Sequence, residues 1–293
     1  MTNQIFSPKR FADYFKLFIG ENWKKLLTTT ASLVGALIVA QTLIPPLTGC
    51  YDPGQNFGPL DPMWQKSVII LWIMLFVSVV TWSGSFLLSY RSKNRRFSLL
   101  TLPASNCEKF LTYFLIYIIG IYVIFFFGME LGNYLRVWTA PLYAANDAII
   151  QPLPFKYFLT FGRSYILEHR DGLSFSPEAL EFSIIKMNTM IAITLGSLFI
   201  LQSFFALCST IWPKSGTRNG ILAAVTLLIL SSILVNLGRS IFFPDIHITD
   251  RFNYQDYHDI LLTIHCVGAG VICLILYGIA YLRFKELETI NRW

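Results

Sequence analysis

Charge is what this chain has least of. Asp, Glu, Lys and Arg make up 14% of its 293 residues, where a water-soluble protein carries about 25%. With 54% hydrophobic residues and a mean hydropathy of +0.54, that shortage excludes an ordinary soluble fold and points to a polytopic membrane protein. The residues of catalysis are sparse too. Four histidines, His169, His247, His258 and His265, show no HExxH or other metal-ligand spacing. There is no GxSxG elbow, no Walker-type phosphate loop and no DxxD pair inside an apolar run, so this chain has no Walker route to ATP hydrolysis of its own. The five cysteines, Cys50, Cys107, Cys208, Cys266 and Cys273, include no CxxC, which argues against a zinc site or redox pair. Three of them fall in apolar runs, where a free Cys behaves as a small hydrophobe. An intramembrane lipid enzyme would need clustered His, Asp or Glu near an interface, and none is found. The charged, aromatic first 25 residues lack the small-residue cleavage site of a signal peptide.

What is present is six apolar runs, each near the ~20 residues needed to cross a bilayer. They are Leu26 to Ile44, Val68 to Tyr90, Leu111 to Leu131, Thr189 to Ile211, Ile221 to Phe243 and Ile260 to Leu282. Lys and Arg gather on alternate sides of them. The N-terminus carries Lys9, Arg10, Lys16, Lys24 and Lys25, and the second loop carries Arg91, Lys93, Arg95, Arg96 and Lys109. Lys214 and Arg218 mark the fourth loop, and Arg283, Lys285 and Arg292 the tail. Opposite them the first loop has Lys66, and the fifth has Arg251 with Arg239 at its edge. The third loop is long, and long loops weigh little in this rule. The expected fold is therefore all-α, with six transmembrane helices and both termini cytoplasmic. The formal net charge of +6 belongs to these flanks and sets orientation, so no nucleic-acid partner is expected.

The chain divides into residues 1–25, an amphipathic cytoplasmic interfacial helix, and residues 26–293, the six-span domain. Ser7 and Pro8 read as cap and first helical residue. Phe11, Tyr14, Phe15 and Phe18 then recur on one face, with Lys9, Arg10, Asp13 and Lys16 elsewhere. Such a helix suits the inner membrane interface or packs against the spans from that side. The first outer loop is rich in Pro and Gly. The long outer loop, 132–187, carries the aromatic run Phe155 to Phe161, and Ser176–Pro177–Glu178 resembles another helix start. One or two short helices on the outer surface are expected there.

Between the second and third runs, the cytoplasmic loop 91–110 changes from a cationic patch to a short apolar strip, Phe97, Leu99, Leu100 and Leu102. Pro103 ends the strip, and Ser105 with Glu108 three residues on reads as a capping box opening a new helix. A partner subunit and an ordinary loop lying on headgroups are both compatible with that pattern. Inside the runs, Gln41, Gln202, Asn236 and His265 suit hydrogen bonds to neighbouring helices. Intramembrane charge is costly, which singles out Glu130 and Arg239. Both stand at outer span ends, where they snorkel to headgroups or form a candidate outer gate pair. Gly84, Gly196 and Gly268–Ala269–Gly270, with adjoining serines, mark close helix approaches.

The amphipathic start, the six spans and the stretch LTLPASNCEKFL (Leu100 to Leu111) resemble an ABC-type exporter permease of the kind found in Bacteroidetes-like bacteria. The charged extension AYLRFKELE (Ala280 to Glu288) after the last span is also of that type. The resemblance implies a coupling helix against a cytoplasmic ATPase subunit, carried by Phe97, Leu99, Leu100, Leu102, Pro103, Glu108 and Lys109. It implies ATP and Mg on that partner and no cofactor in this chain, which would not itself be an enzyme. It further implies a second permease copy, as a homodimer or with a similar chain, in a bacterial inner membrane. The few intramembrane charges favour an apolar or amphipathic exported substrate. One departure stands: many members place a helical outer element before the last span, whereas here the long outer loop precedes the fourth. A non-transporting scaffold or sensor subunit would share most of these features.

Overall fold

The computed structural model describes residues 6–43, 63–87, 104–142, 152–153, 155–159, 177–242 and 254–290. Among them all regular structure is helical. The elements are α1 (Pro8–Thr42), α2 (Met63–Ser83), α3 (Asn106–Phe114), α4 (Gly120–Thr139), α5 (Phe155–Leu159), α6 (Pro177–Ile211), α7 (Gly216–Phe242) and α8 (Tyr254–Ile290). A π turn, Leu115–Ile119, joins α3 to α4, and a 3-10 turn, Ala140–Leu142, ends α4. Among the described residues four helical stretches are long and apolar enough to cross a membrane: Pro8–Thr42, Asn106–Leu142, Ile191–Ile211 and Thr263–Leu287. Ser67–Ser83 is a shorter apolar helix. The chain forms two compact units, Met1–Val79 with Cys107–Thr194, and Val80–Asn106 with Leu195–Trp293.

In the first unit α1 is one unbroken helix of 35 residues, about 52 Å long at 1.5 Å per residue. The boundary expected at residue 25 thus falls inside a helix. Ser7 stands at the cap position with extended backbone but makes no side-chain capping bond, and Pro8 follows at the first helical position, where a missing N–H costs nothing. Its aromatic face is a packing face: Tyr14 and Phe18 are buried, and Phe18 meets the Tyr113 ring edge-on at 5.0 Å. Lys9, Asp13 and Lys16 stay exposed.

The second unit contains a tight turn. Pro213, two residues beyond α6, cannot continue that helix. Trp212 N–H donates to Cys208 O at 2.9 Å and Ser215 N–H to Trp212 O at 3.1 Å, and α7 restarts at Gly216. A Cβ on Gly216 would stand 2.8 Å from Ser209 Cα and 2.9 Å from Gly84 O. Gly84, where α2 gives way to a turn, lies against Thr217. The second apolar helix ends at Ser83, just before that contact. In α8 the last apolar run and the charged tail are continuous, and Ala280 and Phe284 are fully buried. Apolar side chains elsewhere on α7 and α8 face outward; Leu228 is 68% and Leu274 74% exposed, as lipid-facing residues are.

Candidate functional site

Glu108 is a fully buried charge in the first unit. It is the third residue of α3. Its Oε1 accepts from the Ser7 backbone N–H at 2.7 Å and from Arg10 Nη2 at 2.8 Å. Arg10 Nε donates at 3.0 Å to Oε1 and at 2.9 Å to Oε2. One carboxylate therefore sits at the N-termini of two helices, where unpaired N–H groups and the helix dipole favour an anion. Charge-assisted bonds from a guanidinium fork are the strong kind. They compensate the desolvation that makes an unpaired buried carboxylate costly. Thr112 Oγ1 donates to Glu108 O at 3.0 Å, and Lys109 is buried beside it.

Beyond this pin, α1 follows α3 and α4 in the same direction. Contacts run from Ser7–Glu108 through Phe18–Tyr113 and Leu37–Gly128 to Gln41–Met129. From residue 7 to 18 α1 advances eleven residues while α3 advances five, from 108 to 113. At 1.5 Å per residue that is about 16 Å against about 8 Å, so the first turns of α1 cross α3 obliquely. From 18 to 37 the steps are nineteen against fifteen, from 113 to 128, and the helices lie nearly side by side. A Cβ on Gly128 would fall 2.8 Å from Leu37 Cδ1, and one on Gly132 2.5 Å from Gln41 Nε2. Gln41 Nε2 donates to Met129 O at 3.0 Å. Gly128 and Gly132 form a GxxxG pair, and such pairs let membrane helices approach closely. The spacing is plain in the sequence, although the glycines picked out above lay elsewhere.

At the Gln41 end a short segment of the long loop is held between helices. Asn133 Nδ2 donates to Leu153 O at 3.0 Å, and Leu153 N–H donates back to Asn133 Oδ1 at 2.7 Å. Trp72 Nε1 donates to Phe158 O at 2.9 Å, with the two rings stacked at 4.9 Å. Phe125, Phe126 and Phe155 complete the cluster, and Phe158 is fully buried. Within the aromatic run expected on a surface, Phe158 is tucked inward while Phe155 stays 44% exposed. Backbone leaving a helix among apolar side chains needs such partners for its N–H and C=O groups.

No family model, curated protein or solved structure matches this chain. The residues themselves carry the argument.

Of the expected coupling residues, Glu108 and Lys109 are buried, at 0% and 3% exposure. Arg10, 37% exposed at its side chain, is the accessible partner. Phe97, Leu99, Leu100, Leu102 and Pro103 lie outside the described residues. Glu130 is half-buried on α4 in the first unit; Arg239 lies on α7 in the second, its side chain outside the description. Of the polar span residues, Gln41 makes the expected interhelical bond. His265 packs on Gly196, its Nε2 buried with no hydrogen-bond partner. Among the described residues no three His, Cys, Asp or Glu side chains are grouped to hold a metal ion. The partners of Glu108 carry no local signal, because they stand 98 and 101 residues away.

Proposed function

We propose that the chain is the membrane-spanning permease subunit of an ABC transporter. On this reading six helices span a bacterial inner membrane, both termini are cytoplasmic, and a second copy or similar chain completes the pathway. It exports an apolar or amphipathic substrate with ATP hydrolysed on a separate cytoplasmic subunit. The observation that supports the reading is the locked Glu108 carboxylate at the point where loop 91–110 enters α3. α1 is tied to α3 at that pin and to α4 at Gly128 and Gly132. A force applied to the loop by a partner is thereby delivered to α1, α3 and α4 together. Glu108 acts inside the subunit as a positioning residue, and direct contact with the ATPase falls to Leu99, Leu100 and the cations around them.

The test is purification of the tagged chain in mild detergent from its native host. A stoichiometric ATPase subunit should copurify, and its hydrolysis should fall at least several-fold in Leu100→Ala and Glu108→Gln while membrane level and helicity stay unchanged. Recovery of the chain with no ATPase, or hydrolysis indifferent to both substitutions, would overturn the proposal in favour of a scaffold subunit.

A further inference from the structure

The helix running from α3 into α4 contains one residue too many for a regular α-helix. Its buried positions come first as pairs four apart, Glu108 and Lys109, then Thr112 and Tyr113. The next pair, Tyr117 and Ile118, falls five residues on. From there the interval returns to three or four through Ile121, Phe125, Gly128 with Met129, and Gly132 with Asn133. The long step coincides with the π turn Leu115–Ile119, whose closing bond runs from Gly120 N–H to Leu115 O.

A π turn inside an α-helix accommodates one inserted residue, and such turns recur at functional sites. Each residue of α-helix turns by about 100°. Hence Glu108 can face Ser7 and Arg10 while Gly128 and Gly132 face Leu37 and Gln41 only as long as the π turn is present. Take the turn out, and one of the two attachments to α1 must let go. The glycine attachment is steric and continuous along the helix. The other is one carboxylate and one ring contact, Glu108 on Ser7 and Arg10 and Tyr113 on Phe18, so it is the one that releases.

We propose that Leu115–Ile119 is a conformational switch held in its wound state by the Arg10–Glu108 pin. Relaxation to α-helix rotates α3 by about 100° against α4 and advances it by about 1.5 Å. That motion withdraws Glu108 from Ser7 and Arg10 and frees the first turns of α1, which already cross α3 obliquely. The inference rests on helix register and does not depend on the transport reading.

The experiment is hydrogen–deuterium exchange on the full chain in lipid nanodiscs, with two variants. Arg10→Ala breaks the pin without altering α3; amides 115–120 should then exchange at least tenfold more slowly as the turn becomes α-helical, with 125–132 unchanged. In the same background a cysteine replacing Thr112, fully buried in the pinned form, should become reactive to maleimide, while one replacing Ile121 should not. Deletion of Leu115 restores the four-residue interval, so that variant should fold, keep the pin and show slow exchange whatever stands at position 10. Unchanged or faster exchange at 115–120 in Arg10→Ala would overturn the proposal. Failure of the Leu115 deletion to accumulate would also overturn it, by showing that the extra residue is needed for folding. If the Thr112 cysteine variant does not fold, the exchange result decides alone.

Discussion

Replacing Gly132 with alanine should destabilise the first unit by about 1–3 kcal/mol, and the figure follows from three contacts. The new methyl group would stand 2.5 Å from Gln41 Nε2, 3.2 Å from Gln41 Cδ and 3.3 Å from Ile38 Cα. Gln41 can swing away, but doing so breaks its 3.0 Å bond to Met129 O. Interhelical bonds of this kind average about 0.6 kcal/mol. Ile38 Cα is backbone and must recede with the helix, and such overpacking costs about 1–3 kcal/mol. Against both stands a helix-propensity gain of up to about 1 kcal/mol for Gly→Ala. Overpacking wins. Gly35→Ala is the control, since nothing lies within 4 Å of a Cβ there and only the gain should remain. The assay is unfolding in mixed detergent micelles on addition of SDS, followed by far-UV circular dichroism. The Gln41→Ala and Gly132→Ala pair supplies a double-mutant cycle. Removing Gln41 relieves the clash, so the double variant should be more stable than the sum of the single effects predicts, by about 1 kcal/mol. A Gly132→Ala protein as stable as wild type, or strictly additive effects, would refute the reasoning that this contact sets the spacing of α1 and α4.

Other expectations follow from the same contacts. Asn133→Leu leaves the Leu153 N–H and C=O without their side-chain partner, at about 1–3 kcal/mol per buried group; the Leu153 amide should lose its protection against hydrogen exchange. Trp72→Phe keeps an aromatic ring on Phe158 and loses one hydrogen bond, so the same unfolding assay should register about 0.5–1.5 kcal/mol. Gly268→Ala, Gly270→Ala and Gly278→Ala meet open space and should each leave stability unchanged or raise it by up to about 1 kcal/mol, unless a second copy packs there, in which case oligomer size on gel filtration should fall. Arg10→Lys cannot reproduce the three guanidinium contacts to Glu108, because lysine offers a point charge and no fork; it should behave like Arg10→Ala in the exchange experiment.

Much of this architecture was legible along the chain because it depends on local chemistry. Scarce charge and long apolar runs specify helices in a membrane, since only helices satisfy their own backbone within a single apolar segment. Ser7–Pro8 and Pro177 mark helix starts, and Pro213 a stop, through the missing proline N–H and its fixed φ. The aromatic stripe of α1 and the small residues near Gly84 and Gly196 are likewise periodic signals, and each falls at a packed face. Gly128 and Gly132 were equally readable. Nothing in the spacing alone, however, separates them from Gly268 and Gly270, which touch nothing within 4 Å; which glycines are packed depends on where another helix passes.

Only tertiary structure could decide the rest. Glu108 reads as the acid of a local helix cap, yet its carboxylate receives Ser7 and Arg10 from the far end of the sequence. No local propensity encodes a partner 98 residues away. The aromatic residues after Leu153 read as a surface helix because amphipathic and buried aromatic clusters share one composition. The inward seat of Phe158 depends on Trp72 supplying a hydrogen bond from another helix, as Asn133 does for Leu153. The π turn is the clearest case. Leu115–Ile119 is an unremarkable apolar run by composition, and its π turn takes up the one residue too many that lies between two separate attachments to α1. Sequence determined that these helices form and that they belong in a membrane. Long-range packing decided which faces meet, and with them where charge is locked and where the helix is wound out of register.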